Sequence, residues 1–297
     1  MPQPAALPRP VASLSELSPR YDALFVDLWG CLHDGYRPFE AAVRALRAYR
    51  AGGGCVMLLT NSPRPRPAVQ AQLDAIGVPR DCYDAITSSG DASRAALAAG
   101  LVGTRVCHLG PKRDEPFFDD LGDGIDVSRI RRVPLDEAEG IVCTGLFDDH
   151  AETPEDYRAR LLYARTRGMK LLCTNPDLMV DYGSRRVYCA GAIARLYEEM
   201  GGESLYFGKP HPPIYDLARN RLSALRNVPD SRMLCIGDGI STDIRGGLAE
   251  GLDTLFITGG LDGARFGEDP EHPDPGALAA FFAERQISPT YTAPALR

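Results

Sequence analysis

Short apolar runs and helix-spaced apolar positions alternate along nearly the whole chain, and that alternation sets the predicted fold. Residues 23–27 (ALFVD) form an apolar run ending on a carboxylate, the pattern of a strand covered on both faces. Ala42, Leu46 and Tyr49 then recur at helical spacing, which predicts a helix over 39–51, ended by Gly52-Gly53-Gly54. A strand over 56–59, a helix over 67–76 stopped by Gly77, a small strand over 86–89 and an alanine-rich helix over 91–99 follow, with Gly100 as its stop. Such an order predicts βαβ units, hence a parallel sheet with helices on both faces.

From about residue 101 to residue 203 the alternation starts again. Strands are predicted over 106–109, 140–144 and 170–174, helices over 154–167 and 191–200, and acidic loop material over 114–126 separates the first two strands. This reads as a second α/β module. Beyond it come a helix over 213–221, a strand over 233–236, a helix over 244–250 and a last strand over 254–258. The first ten residues hold four prolines and are predicted to be an unfolded tail. No repeat of 20–50 residues is present.

Composition narrows the function. The chain has 297 residues, roughly two typical domains, with 44% hydrophobic and 25% charged positions, as in an ordinary soluble protein. Its 33 Lys and Arg against 40 Asp and Glu leave a formal charge of −7, and no basic cluster extends beyond residues 129–132. That balance argues against nucleic acid or an anionic membrane as partner. The eight cysteines are scattered, with no C-x-x-C pair, and five of them sit in apolar runs, so buried thiols in a reducing cytoplasm are expected. The proline-rich start lacks the basic and apolar regions of a signal peptide, and no apolar stretch approaches the roughly 20 residues of a membrane span.

Four short segments carry the candidate chemistry, each after a predicted strand or before a helix. They are Asp27-Leu28-Trp29-Gly30, Thr60-Asn61-Ser62, Gly208-Lys209-Pro210, and Gly237-Asp238-Gly239 with Asp243. Ligands in open α/β sheets bind beyond the carboxyl ends of the strands, where these segments fall. Taken singly, each has an ordinary reading: a strand-end aspartate as a turn residue, Thr60 as a helix cap, Lys209 as a solvated loop lysine. Together they suit a phosphate ester. A carboxylate attacks phosphorus only if the ester's negative charge is neutralised, which a carboxylate-held divalent cation and a lysine can do. Asp27 and Asp238 could hold the cation, Lys209 supplies positive charge and Thr60 a hydroxyl, while Gly30 and Gly237 admit close backbone approach.

This ordered set resembles the haloacid dehalogenase (HAD) superfamily, class IIA, the NagD-like and p-nitrophenylphosphatase-like group. The likeness extends over nearly the whole chain after residue 20. It rests on Asp27, on Thr60-Asn61, on Gly208-Lys209-Pro210-His211-Pro212-Pro213-Ile214-Tyr215 and on Gly237-Asp238-Gly239-Ile240-Ser241-Thr242-Asp243-Ile244. Thr174-Asn175-Pro176-Asp177 is similar to a phrase of the class IIA cap. The resemblance implies a Rossmann-like parallel-sheet core over 21–100 and 204–297, a large inserted α/β cap over 101–203, and a tail over 1–20. It implies an aspartyl-phosphate on Asp27, Mg²⁺ held by Asp27, Asp238 and the carbonyl of Trp29, and phosphate contacts from Thr60, Asn61, Lys209 and Gly30. Asp243 would orient the metal site or Lys209. The substrate class implied is a small phosphorylated metabolite such as a sugar phosphate, nucleotide or aryl phosphate, and self-association through the cap would give a homodimer.

One position departs from the family's pattern. Its phosphatases carry D-x-D in the first motif, the second aspartate protonating the leaving alkoxide; here that position is Trp29. Positioned acid–base catalysis supplies ~10²–10⁴-fold, so a weak or specialised phosphatase favouring easily departing groups is expected. His33 or Asp34 in the same loop, or Asp177 with Asn175 from the cap, could stand in, and Trp29 could itself stack on a substrate. A catalytically idle phosphometabolite-binding protein, or an enzyme cleaving acyl-phosphate or C–P bonds, are the alternatives.

Overall fold

The computed structural model describes residues 8–121, 124–182 and 185–297, and the chain divides into two compact units. Residues 1–7 of the predicted tail, 122–123 of the acidic loop and 183–184 lie outside the described residues.

The first unit comprises residues 1–60, 73–86 and 218–297. It is built on a seven-stranded sheet whose central strands are Met233–Gly237, Ala23–Val26 and Cys55–Thr60. Ala23–Val26 and Cys55–Thr60 are buried along their whole length, which is why they read as unbroken apolar runs instead of alternating ones. Pairing is parallel from Arg9–Pro10 through Tyr291–Ala293, Asp253–Ile257, Met233–Gly237 and Ala23–Val26 to Cys55–Thr60. Successive strands step one way from Ala23–Val26 to Cys55–Thr60 and Ala85–Ser88. They step the other way from Met233–Gly237 to Asp253–Ile257 and Tyr291–Ala293. The order therefore reverses between two adjacent strands, and the crevice beyond their carboxyl ends is where a doubly wound sheet takes its ligand.

The helix Glu40–Ala51 buries Ala42, Val43, Leu46 and Tyr49. The helix Pro275–Arg285 was not among the predicted elements. The Asp274 side chain caps it by accepting from Ala277 N at 2.6 Å, and Phe281 and Phe282 join Phe256, Phe266, Ile240 and Ile244 in one cluster. The start of the chain also differs from expectation: Arg9–Pro10 pairs as an edge strand with Tyr291–Thr292, so the predicted tail is structured from there onward. Proline is tolerated at such an edge because its missing N–H faces no partner strand.

The second unit comprises residues 61–72 and 87–217. Its five-stranded parallel sheet runs Glu203–Tyr206, Lys170–Cys173, Gly140–Cys143, Arg105–Leu109, Arg131–Arg132, beside an antiparallel hairpin of Met179–Tyr182 and Arg185–Tyr188. Side chains alternate across it as strand geometry requires. Cys107, Ile141, Cys143, Leu171 and Cys173 meet Leu161, Ile193 and Tyr197 on one face. Val106, Val142 and Leu172 meet Leu97 and Phe117 on the other. All eight cysteines are buried, and desolvation pushes Cys55 and Cys82 up to about 11 and Cys143 up to about 12. Among the described residues, no helix is long and apolar enough to cross a membrane.

Candidate active site

Asp27 directly follows the strand Ala23–Val26, and Asp238 directly follows the adjacent strand Met233–Gly237. Val26 pairs with Ile236, and Asp27 N donates to Ile236 O at 2.9 Å, so both aspartates are fixed at the point where strand order reverses. Each is about 8% exposed. A carboxylate oxygen from each, together with the Cys31 thiol, lies within 4.8 Å of the others. Such convergence of hard oxygen donors is suited to a divalent cation.

Glycines clear the space around the carboxylates. Gly30 has φ +72°, and a methyl group there, or on Gly260, would overlap the Asp238 carboxylate. One on Gly237 would overlap Asp243. Asp238 Oδ2 also accepts Leu261 N at 2.8 Å, and Asp243 Oδ2 accepts Gly239 N at 3.1 Å. The turn Ile240–Ile244 that carries Asp243 leads into the short helix Arg245–Ala249, so the helix predicted over 244–250 begins with a wider turn. Thr60 ends the strand Cys55–Thr60 and is buried.

The loop after Asp27 is held by Trp29, His33 and Asp34. The Trp29 and His33 rings meet edge to face at 5.0 Å, and Gly35, at φ +92°, leaves the space the indole occupies. His33 is 1% exposed, and desolvation lowers it to about 4, so it is a neutral ring. Its Nδ1 accepts Gly35 N at 3.0 Å, which places the proton on Nε2. Asp34 accepts the N–H groups of Tyr36 and Arg37, both at 2.9 Å. Burial raises its carboxyl, but those bonds and the Arg37 guanidinium outweigh it and hold it below the usual range. Asp34 thus forms the turn.

Within the second unit, Asn61, Asp177 and Lys209 are joined. Asn61 Oδ1 accepts Lys209 N at 2.7 Å, and Asn61 Nδ2 donates to Lys209 O at 3.0 Å and to Asp177 Oδ1 at 2.8 Å. Asn175 Oδ1 accepts Asp177 N at 3.0 Å. Gly208 admits this clasp, since a methyl group there would lie 2.6 Å from Asn61 Oδ1 and 2.7 Å from Pro176 Cδ. Lys209 is 2% exposed, its backbone fixed on both sides by one amide. The nearby His211 ring stacks on Tyr206 at 5.1 Å, and burial lowers it.

Sequence reasoning missed Cys31 and Gly260. Cys31 stands four residues after Asp27, outside the five apolar-run cysteines, and with no C-x-x-C or Cys/His spacing to mark it, it reads with the others as a buried thiol.

The reversal point of a doubly wound parallel sheet, with aspartates following two adjacent strands, suits an enzyme of Rossmann-like fold that handles an anionic substrate with a divalent cation. The chain belongs to the haloacid dehalogenase-like hydrolases, in the NagD-like class IIA group, and is a HAD-type phosphatase. The haloacid dehalogenase-like hydrolase family matches residues 24–123, and the HAD-hydrolase-like family matches 206–280. A haloacid dehalogenase-like family hydrolase from Brucella suis 1330 is 41% identical over 97% of this chain and 100% of that one, with a TM-score of 0.84. D-glycerol 3-phosphate phosphatase of Mycobacterium tuberculosis is 25% identical over 96% of this chain and 72% of its own length. A glycerol phosphate phosphatase structure from that organism, in complex with magnesium, has a TM-score of 0.66 at 22% identity, covering 93% of this chain and 75% of that one. Ribonucleotide monophosphatase NagD of Escherichia coli K12 is 29% identical over 36% of this chain and 40% of its own.

Proposed function

We propose that the chain hydrolyses a small phosphorylated metabolite, a sugar phosphate, nucleotide or aryl phosphate, through an aspartyl-phosphate on Asp27. The convergence of Asp27 and Asp238 at the strand reversal carries this reading, because nothing in packing rewards two carboxylates buried side by side. Mg²⁺, held by Asp27, Asp238 and the Trp29 carbonyl, would neutralise phosphoryl charge; the glycine-cleared space and the oxygen donors fit it. The magnesium complex of the mycobacterial phosphatase supports the same choice of ion.

Asp27 attacks phosphorus, forming the Asp27 O–P bond as the ester P–O bond breaks. Thr60 donates its hydroxyl to a phosphoryl oxygen, and the resemblance assigns the balancing of phosphoryl charge to the Lys209 ammonium. Asn61 acts by fixing the Lys209 backbone. Water then cleaves the acyl-phosphate bond and restores the carboxylate. No acid stands at position 29, Asp34 is committed to its turn, His33 is neutral and buried, and Asp177 is committed to Asn61 and Asn175. The leaving group therefore departs without a proton, which favours aryl esters and other good leaving groups over alkyl phosphates.

Phosphate release from p-nitrophenyl phosphate, sugar phosphates and nucleotides tests the reading. Release that depends on Mg²⁺, stops with EDTA and is faster on the aryl ester is expected. Absence of release on the whole panel, with phosphate still bound, would overturn it in favour of an idle binding protein.

A further inference from the structure

We propose that Cys31 makes the carboxylate centre a mixed oxygen–sulfur site that takes a thiophilic divalent cation, zinc, in competition with magnesium. The proposal rests on the reading of Asp27 and Asp238 as cation-holding residues and adds a third donor to them.

Asp27, Cys31 and Asp238 each bring one ligand atom within 4.8 Å of the other two, and among the described residues they are the one such group of three. The geometry follows from the loop. Gly30 turns the chain at φ +72°, Gly30 N donates to His33 O at 3.1 Å and Leu32 N to Leu28 O at 2.8 Å, so Cys31 returns toward the carboxylates. The thiol is 1% exposed, and Asp27 and Asp238 are themselves buried.

The donor set decides the preference. Magnesium demands oxygen ligands in near-ideal octahedral geometry and gains little from sulfur. Zinc takes sulfur at about 2.3 Å and carboxylate oxygen at about 2.0–2.2 Å in a tetrahedron. Two aspartates and a cysteine give it three protein ligands and leave one position open, and thiolate is the ligand that selects zinc over hard cations. On binding, the S–H bond breaks, the S–Zn bond forms and the proton passes to water, a coordinating thiol being deprotonated outright. Zinc held in this way occupies the same two carboxylates, so it displaces the magnesium of the proposed reaction and inhibits it reversibly.

Cadmium is the spectroscopic probe, because cadmium–thiolate bonds absorb in the near ultraviolet regardless of turnover. The full chain, titrated with Cd²⁺, is expected to give an absorption that saturates at one equivalent, is displaced by Zn²⁺ and persists in excess Mg²⁺. Cys31→Ser and Cys31→Ala should both lack it, and Asp238→Asn should weaken cadmium binding by about tenfold or more. No saturable band in the wild type, a band unchanged in both Cys31 variants, or full cadmium affinity in Asp238→Asn would each overturn the proposal. Magnesium calorimetry in parallel separates the two failures. Magnesium bound without a cadmium band overturns the thiol's part alone, and no magnesium binding either overturns the underlying reading as well.

Discussion

Gly30 and Asp238 stand so close that a methyl group on the glycine would overlap the aspartate's carboxylate. The two come from the ends of adjacent strands, and the positive φ of Gly30 adds a backbone requirement to the spatial one. Gly30→Ala should lose ~1–3 kcal/mol of stability, from strain and displacement together. Magnesium affinity should drop by about tenfold or more as Asp238 shifts. Urea unfolding and magnesium calorimetry check the two effects separately; an alanine variant with unaltered magnesium binding would count against Asp238 as a cation-holding group.

Asn61 fixes the backbone of Lys209 across 148 residues of sequence by accepting its N–H and donating to its carbonyl. Asn61→Asp keeps the shape but loses the donor and sets a second carboxylate against Asp177 Oδ1, which Asn61 Nδ2 now meets at 2.8 Å. A stability loss of ~2–4 kcal/mol and a rise in KM for phosphate esters are expected. Unfolding and steady-state kinetics measure them, and an unchanged KM would show that Lys209 does not depend on this clasp.

Trp29 packs its ring against His33 where the family's phosphatases carry an acid. Trp29→Asp should raise alkyl phosphate turnover relative to aryl, by tenfold at least and ~10⁴-fold at most. The ratio of the two rates on a variant with an intact thermal transition is the measurement. A flat ratio would mean that the missing acid does not limit the wild type.

Asp84 gives a pH signature apart from catalysis. Burial raises its carboxyl, but Arg50 and the Val56 N–H, which Asp84 accepts at 2.8 Å, outweigh burial and lower it. A carboxyl lowered by folding stabilises fully above its unfolded value near ~3.9, and that contribution fades as pH falls through the lowered folded value. Asp84→Asn should therefore be less stable than the wild type by ~1–2 kcal/mol near neutrality, and the difference should vanish toward ~pH 2. Denaturant titrations across that range measure it, and a gap that widens in acid would reverse the sign of the argument.

Much of the architecture was legible because buried parallel strands leave unbroken apolar runs. Ala23–Val26, Cys55–Thr60 and Met233–Gly237 each carry one, and the aspartates following two of them mark the strand ends. Arg9–Pro10 was not legible: two residues without periodicity become a strand only because Tyr291–Thr292 offers an edge. Pro275–Arg285 was legible in principle from Asp274 and Pro275, but its phenylalanines are consecutive and blur the helical period. At the site, sequence order named Asn61, Asp177 and Lys209 one by one. Their mutual bonds depend on tertiary proximity that no local pattern encodes. Cys31 was hidden because a buried ligand and a buried core thiol look alike in sequence.

The most direct test of the nucleophile is rapid acid quenching of the enzyme during turnover of an aryl phosphate with Mg²⁺, followed by mass analysis of the peptide that carries Asp27. The account predicts one added phosphoryl group on that peptide in the wild type, and neither the adduct nor phosphate release in Asp27→Asn. Wild-type rates of phosphate release from the asparagine variant would contradict it.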